Sequence, residues 1–142
     1  MRFVDVNVLV DAHRPESPNH ERVRAWLDAA RRGREPLGLP TLTASGFLRV
    51  VTHPRVFLDP SPLGVALGML DALAASPAVV LVEPGPRQWG IFRDLCATLQ
   101  LRGNDVADAY LAAMAIEQGA TWVTSDRAFE RFPDLRIEYP VG

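Results

Sequence analysis

Three aspartates stand where apolar runs of the chain give way to a turn or a helix. Asp5 closes the run Phe3-Val4-Asp5, and Asp126 follows the run from Thr121 to Thr124. Asp108 lies in the first turn of a predicted helix. In a parallel α/β sheet, the ends of strands that run the same way meet at one edge, where ligands usually bind.

Carboxylates gathered at such an edge need a cation. Two of them about 5 Å apart repel by roughly 3 kcal/mol at an effective dielectric near 20. A divalent ion removes that repulsion, and ligands that are all oxygens suit Mg²⁺ or Mn²⁺. The positions of Asp5, Asp108 and Asp126 therefore predict an acidic metal site on a small α/β scaffold.

Two further polar residues accompany these acids. Asn7 lies two positions after Asp5, where it can hold the Asp5 carboxylate or a metal-bound water, or cap a helix. Asp105 precedes Asp108 by three residues, so both face the same side of one helix near its N-terminus. Simpler roles stay open, because Asp5 and Asp126 can each cap the turn that follows and the helical pair can interact with the helix dipole.

The apolar patterns predict strands and helices in alternation along the chain. The predicted strands are Phe3 to Val6, a very short one within Pro36 to Pro40, Ala78 to Val82, Thr121 to Thr124, and an edge strand at Leu135 to Glu138. The predicted helices are a short one at Asn7 to Val10, then Asn19 to Arg32, Thr41 to Thr52, Pro62 to Ser76, Arg87 to Leu99 and Asn104 to Gln118. This order predicts an α/β fold: a three-layer α/β/α sandwich around a short, mainly parallel sheet of four or five strands.

Local signals add expectations about caps and burial. Ser17 and Ser61 each precede a proline, the pattern of a helix N-cap. The β-branched run Ala78 to Val82 is typical of a buried parallel strand. Helical spacing or apolar neighbours predict that eight large side chains face inward: Leu42, Leu63, Leu67, Leu70, Leu73, Trp26, Trp89 and Trp122. The stripe formed by Leu63, Leu67, Leu70 and Leu73 has a partner surface as its second possible role.

Composition bounds the class of protein. A chain of 142 residues fits one domain, here expected to span 1–142. The net charge is −2, all 15 basic residues are arginine, and there is no lysine, so chemistry that requires a lysine is excluded. No apolar run approaches the roughly 20 residues of a membrane span, and no signal-peptide pattern opens the chain. With one cysteine, Cys96, and no internal disulfide, the cytoplasm is the expected compartment.

The ordered set of motifs resembles a known family. Four segments, taken in order, are similar to a PIN domain: Val4 to Asn7, Gly46 to Thr52, Asp108 to Ala113 and Val123 to Phe129. More narrowly, they resemble the VapC ribonuclease toxins of bacterial toxin–antitoxin pairs, in the mycobacterial and actinobacterial branch. The resemblance covers nearly the whole chain.

The resemblance implies an activity and a set of residues for it. It implies Mg²⁺- or Mn²⁺-dependent hydrolysis of phosphodiester bonds in structured RNA such as tRNA or rRNA, with metal ligands matching Asp5, Asp108 and Asp126. It also implies a hydroxyl just before the last acid, matched by Thr124 or Ser125.

One departure from the family pattern concerns the third helix. The family commonly has a glutamate early in that helix, and Ala44 is expected to occupy its place here. We hypothesise that Asp105 substitutes as the fourth acid, and with one carboxylate fewer a single bound ion is the expectation.

The resemblance also implies partners. RNA would be steered by local guanidinium groups, which suit phosphate, and the candidates near the predicted acidic edge are Arg14, Arg49, Arg55 and Arg127. A cognate VapB-like antitoxin would wind a segment around the protein and place an arginine among the acids. A homodimer is also expected.

Rival interpretations fare differently. A receiver domain needs a lysine after its last strand, a haloacid-dehalogenase-type phosphatase needs an acid where Asn7 stands, and a dinucleotide fold needs a glycine-rich turn that this chain lacks. The remaining alternative is a weakened or inactive PIN domain that acts as a binding module with an antitoxin.

Overall fold

A computed structural model describes all 142 residues, which alternate between strands and helices. The strands are β1 (Arg2–Val4), β2 (Leu37–Pro40), β3 (Val79–Val82), β4 (Thr121–Val123) and β5 (Arg136–Glu138). The helices are α1 (Val6–His13), α2 (His20–Arg31), α3 (Thr41–Val51), α4 (Leu63–Ala74), α5 (Gln88–Leu99) and α6 (Asn104–Glu117), with a 3₁₀ helix at Arg127–Arg131.

The five strands form one parallel sheet in the order β3-β2-β1-β4-β5. Phe3 of the central strand β1 pairs with Gly38 on one side and Trp122 on the other. Because β1 and β4 are parallel neighbours, the residues that follow them, Asp5 and Thr124, leave the sheet at the same edge. The predicted α/β sandwich and its parallel sheet are confirmed.

Side chains alternate across the sheet and divide the core in two. Val4 and Val123 point into a cluster with the buried residues of α1 to α4. Phe3 and Trp122 point to the opposite face, into a cluster with residues of α5, α6 and the 3₁₀ helix. This period of two is what a strand buried on both faces requires.

Glycine is required at one position in the sheet. A Cβ built at Gly38 would lie 2.3 Å from Cδ1 of Phe3 and 2.9 Å from a methyl group of Val82. The aromatic ring on the central strand therefore fills the space beside β2, and the backbone there can accept no side chain.

Two expectations about helix ends are wrong. β1 ends at Val4, and Val6, predicted in the strand, begins α1. Helices α2 and α4 start at His20 and Leu63 and have no side-chain cap. The buried Ser61 instead hydrogen-bonds through Oγ to His13 and Arg14, a contact over more than 45 residues that local sequence does not reveal.

Several residues predicted to be buried are exposed. Strand β3 is an edge strand, and its Val80 and Leu81 are 48% and 58% exposed. Trp89 at the start of α5 is 61% exposed. Of the predicted leucines, Leu70 and Leu73 are buried, whereas the exposed ones are Leu42, Leu63 and Leu67. The structure contains no helix with the length and apolar character needed to cross a membrane.

Candidate active site

Asp5 is a buried carboxylate at the junction of β1 and α1. It is 6% exposed and is the N-cap of α1, with Oδ1 accepting a hydrogen bond from the backbone N–H of Val6 at 2.7 Å. Its other oxygen, Oδ2, accepts from the Thr124 hydroxyl at 2.7 Å and from the Asn7 amide at 3.0 Å. The capping role is therefore real, and it occupies only one of the two oxygens.

Thr124 and Asn7 fix the position of Asp5 relative to β4. The Asn7 amide also donates to Thr124 Oγ1 at 3.1 Å, while its carbonyl oxygen accepts from the backbone N–H of Ser125 at 3.0 Å. Thr124 Oγ1 in turn accepts from the backbone N–H of Asp126 at 3.0 Å. These bonds hold the ends of two neighbouring strands together, and Thr124, not Ser125, is the hydroxyl that contacts the acid.

The pKa of Asp5 is raised from 3.8 to about 6. Burial is the largest cause, and the nearby carboxylates of Asp108 and Asp126 raise the pKa further. The hydrogen bonds from Thr124 and Val6 oppose this rise without cancelling it. A cation beside Asp5 would stabilise its ionised form, which these surroundings disfavour.

The three predicted acids share one cavity of about 500 Å³. Asp5 lies at its β1 end, Asp108 projects from the second turn of α6, and Asp126 comes from the loop after β4. Asp126 caps the 3₁₀ helix through Oδ1, which accepts from the N–H of Ala128 at 2.9 Å. Segments distant in sequence therefore bring the three carboxylates together.

Arg131 pairs with two of the acids on α6. Its Nη2 stands 3.0 Å from Oδ2 of Asp108 and 3.4 Å from Oδ1 of Asp105. Burial raises the pKa of Asp108, and the Arg131 hydrogen bond and charge oppose that rise. Asp105 does not line the cavity, and it acts on the site through its contact with Arg131 and through its charge, which raises the pKa of Asp108 after burial has done so.

The residues present fit a hard divalent cation by their chemistry. The acids supply oxygen donors only, and the pKa of Asp5 is raised first by burial and then by the charges of Asp108 and Asp126. In this arrangement no three His, Cys, Asp or Glu side chains are placed to hold a metal ion. Asp108 pairs with Arg131, and Asp5 with Thr124 and Asn7, so binding an ion requires side-chain adjustment.

Comparison with known proteins identifies the family. The family model described as PIN domain matches residues 2–135. The VapC ribonuclease Mb2897 of Mycobacterium bovis is 47% identical over 141 residues, which cover 99% of this chain and 96% of that protein. Ribonuclease VapC25 of Mycobacterium tuberculosis is 39% identical over 136 residues, 96% of each chain. This chain belongs to the PIN-domain family.

Solved structures agree on the fold of this PIN domain. VapBC2 from Rickettsia felis, bound to a DNA fragment from its promoter, matches with a TM-score of 0.73 and 18% identity over 97% of each chain. VapBC-1 from nontypeable Haemophilus influenzae matches with a TM-score of 0.71 and 14% identity, covering 99% of this chain and 98% of that chain. At these identities the likeness concerns the fold alone.

The α3 wall of the PIN-domain site corrects one expectation. Ala44, expected at the place of the family's glutamate, packs against the core cluster of α1 to α4. Ser45, Gly46 and Arg49 line the acidic cavity. Residues two apart on a helix lie about 200° around its axis, so 44 and 46 cannot face the same way. Gly46 therefore presents to the cavity, and a Cβ there would lie 2.8 Å from a methyl of Val6.

Of the four predicted RNA-binding arginines, the structure brings Arg49 to the cavity. Arg14 follows the eight-residue α1, about 12 Å along its axis from Asp5. It donates to Ser61 Oγ at 2.9 Å and to the carbonyl of Asp59 at 2.7 Å. Its expected place near the acidic edge is wrong, because the helix carries it to the far end.

The other two arginines are exposed and do not line the cavity. Arg127 pairs with Glu130 at 3.3 Å and stacks over the Tyr139 ring. Arg55 lies in the turn after α3, where its backbone N–H donates to His53.

Sequence reasoning missed two charged residues at this site. Asp11 lines the acidic cavity, and burial raises its pKa. It lies four residues after Asn7 on α1, and that helical spacing was the signal that could have found it. Arg131 gave no comparable signal, because its meeting with Asp108 depends on how the segment after β4 packs against α6.

Proposed function

We propose that this protein is a Mg²⁺- or Mn²⁺-dependent endoribonuclease of the VapC type, the toxin of a toxin–antitoxin pair, which hydrolyses phosphodiester bonds in structured RNA such as tRNA or rRNA. The observation that carries the proposal is the meeting of Asp5, Asp108 and Asp126 in one cavity, where burial raises the pKa of Asp5 and the other two carboxylates raise it further. Relatives 47% and 39% identical over nearly the full chain are named as VapC ribonucleases.

The residues of the site divide into distinct roles. Asp5, Asp108 and Asp126 would hold the ion, which when bound supplies Lewis acidity toward water and toward the phosphate oxygens. Thr124 and Asn7 hold the Asp5 carboxylate in place. Arg49, on the α3 wall, can donate to a non-bridging phosphate oxygen.

We expect one ion, because α3 supplies no carboxylate to the cavity. Asp105 remains a candidate fourth acid, acting through Arg131, since Arg131 contacts both Asp105 and Asp108. Asp105→Asn should then lower Mn²⁺ affinity in a calorimetric titration, and Asp108→Asn should lower it much further. Unchanged metal affinity and activity in Asp105→Asn would remove Asp105 from the site.

The proposed protein partner is a VapB-like antitoxin, since the matching solved structures include VapBC assemblies. The exposed apolar residues Leu63, Val65 and Leu67 of α4 are a candidate surface for the antitoxin or for a homodimer. The homodimer and the cytoplasmic location stay predictions. Co-expression with the antitoxin should raise solubility and suppress nuclease activity.

One alternative has its own support. The cavity lacks an acid from α3, and Arg131 already pairs with Asp108, so a weakened PIN domain that serves as a binding module is the second candidate. The purified chain should cleave structured RNA with Mn²⁺, lose cleavage in EDTA, and lose it in Asp5→Asn. The matched control is Asp94→Asn, an exposed aspartate of α5. No cleavage by the wild-type chain would favour the binding module.

A further inference from the structure

A second cavity of about 650 Å³ adjoins the acidic one. Its walls come from the start of α3, the end of β3, and helices α5 and α6. Apolar side chains predominate, among them Val82, Phe92 and Met114. The nuclease site described above makes no use of this space.

The two cavities form one continuous trench. Leu42 and Ser45 of α3 and Ala107 of α6 line both. On α6, Val106 and Tyr110 face the apolar cavity, whereas Asp108 and its neighbour Leu111 face the acidic one. The same two helices therefore wall both compartments, and a chain lying across the acids would extend past Ala107 into the apolar end.

The apolar end has the features of a site for a flat aromatic ligand. The rings of Phe92 and Tyr110 meet edge to face, with centroids 5.5 Å apart. Unstacked bases of single-stranded RNA are commonly received on aromatic side chains. A largely apolar cavity with a few placed polar groups is also the usual form of a small-molecule site.

One carboxylate stands at this cavity. Glu83 follows β3 and lines the apolar end, with Oε1 accepting from the Thr41 hydroxyl at 2.7 Å. A carboxylate accepts hydrogen bonds and repels phosphate, so the group it suits is the N–H edge of a base. Guanine presents two adjacent N–H donors on its Watson–Crick edge, and uracil presents one.

We propose that this apolar cavity, lined by Tyr110, Phe92 and Glu83, binds one base of the RNA strand next to the scissile phosphate, with guanine preferred over uracil. The proposal rests on the proposed ribonuclease function and adds to it a source of sequence preference. Continuity with the acidic cavity argues for a nucleotide over a second copy of this chain, because Leu42, Ser45 and Ala107 line both cavities and a strand held at the acids reaches this one directly.

The direct experiment measures nucleotide binding without cleavage. GMP and UMP are titrated into the full wild-type chain in EDTA, and the Met114 methyl and Tyr110 ring signals are followed by NMR. GMP should bind at least about fivefold more tightly than UMP and should shift both signals. Equal affinities, or shifts absent from this cavity, would overturn the proposal.

Two variants and two matched controls test the named residues. Glu83→Gln should bring the GMP to UMP ratio toward one, and Tyr110→Leu should weaken both nucleotides. Glu83 is exposed, so its variant tests the proposal even if Tyr110→Leu folds poorly. Glu21→Gln and Tyr139→Leu replace residues that do not line the trench, so they should change neither the GMP to UMP ratio nor the affinity for either nucleotide.

Cleavage of four oligoribonucleotides, each with a different base beside the scissile bond, separates this proposal from the function it rests on. A guanine preference that Glu83→Gln removes would support it. Cleavage with no base preference would sink the base site and leave the nuclease intact. GMP binding at Tyr110 without cleavage of any RNA would support the base site and count against the nuclease function. A dimer in sedimentation that buries Tyr110 and excludes GMP would assign the cavity to a second copy and overturn the proposal.

Discussion

Asp5 and Glu117 are both buried carboxylates, and their surroundings are opposite. Glu117, 9% exposed at the end of α6, accepts from the backbone N–H of Gly85 through Oε1 and from that of Arg87 through Oε2, each at 2.8 Å. Asp5, 6% exposed, has one backbone donor and faces Asp108 and Asp126. The Glu117 carboxylate is held by backbone donors alone, whereas Asp5 is held by one backbone and two side-chain donors and also faces two like charges.

This contrast separates a structural acid from one proposed to bind the metal ion. Glu117 closes the turn between β3 and α5, and its two backbone N–H donors match the two oxygens of a carboxylate. At Asp5, burial and then the charges of Asp108 and Asp126 disfavour the ionised carboxylate more than its donors favour it, and a cation beside it would relieve this. Burial alone therefore does not mark a site, whereas burial beside other carboxylates does.

The largest expected effect is the loss of activity in Asp5→Asn. Removing this carboxylate should lower RNA cleavage at least about a thousandfold, equivalent to about 4 kcal/mol, since metal catalysis is worth several kcal/mol. Stability should change little, because asparagine caps a helix as well as aspartate does, and the loss of Oδ2 as acceptor for Asn7 and Thr124 is offset by the disappearance of the repulsion with Asp108 and Asp126. Cleavage assays and urea unfolding of the same preparation measure both quantities.

The matched variant for that test is Glu117→Gln, which should keep cleavage and lose stability. If Asp5→Asn unfolded more easily than Glu117→Gln and retained cleavage, the roles assigned to the two acids would be reversed.

The next effect, about 3 kcal/mol, is a pH dependence of folding in the metal-free protein. The pKa of Asp5 is about 6 in the folded state against 3.8 as its ordinary value, so the folded state binds the proton more tightly. This contribution to stability is fully present below about pH 4 and is lost as the pH rises through 6. A difference of this size corresponds to about 3 kcal/mol. Urea unfolding in EDTA between pH 4 and 7.5 measures it.

Metal addition should reverse that trend, because an ion favours the ionised carboxylate. Mg²⁺ or Mn²⁺ affinity should increase as the pH rises through 6, with release of protons on binding. The Asp5→Asn protein should show a flatter stability profile than the wild type. Identical profiles for the two proteins would mean that Asp5 keeps an ordinary pKa.

Glu117→Ala tests the other side of the comparison. Two backbone N–H groups, of Gly85 and Arg87, would lose their acceptor, and an unsatisfied donor costs about 1–3 kcal/mol. Because both residues are near the surface and water can partly replace the carboxylate, we expect a loss of about 2 kcal/mol in the free energy of unfolding. Mn²⁺ affinity should stay at the wild-type value, and a loss of affinity would tie Glu117 to the metal site.

Periodic signals predicted most of the fold. Short apolar runs located all five strands, and helical spacing together with the proline and glycine signals located all six helices to within a few residues. Burial was less predictable, because the run from Val79 to Val82 is equally suited to a central or an edge strand. The strand order that places it at the edge depends on packing between distant segments.

The residue types of the candidate site could be predicted from the sequence, whereas the contacts between its side chains were less predictable. Strand ends located Asp5 and Asp126, and the helix start located Asp108, since parallel topology brings such ends together. The orientation of α3 was not predictable, and it decides that Gly46 and not Ala44 faces the acids. Arg131 was missed for the same reason, because its partner is 23 residues away on another element.

The smallest expected effect on the free energy of unfolding concerns two glycines, one beside Glu117 and one in the wall of the acidic cavity. A Cβ at Gly85 would meet Glu117 Oε2 at 2.6 Å, and one at Gly46 would meet a Val6 methyl at 2.8 Å. Gly46→Ala gains about 1 kcal/mol in helix propensity and incurs about 1–3 kcal/mol of overpacking, so it should be neutral or destabilising. In a Val6→Ala background the overpacking disappears, and the same change should stabilise by about 1 kcal/mol. Urea unfolding of the four proteins gives this coupling, expected at about 1–3 kcal/mol. Strict additivity would show that Val6 does not fill the space that a side chain at position 46 would need.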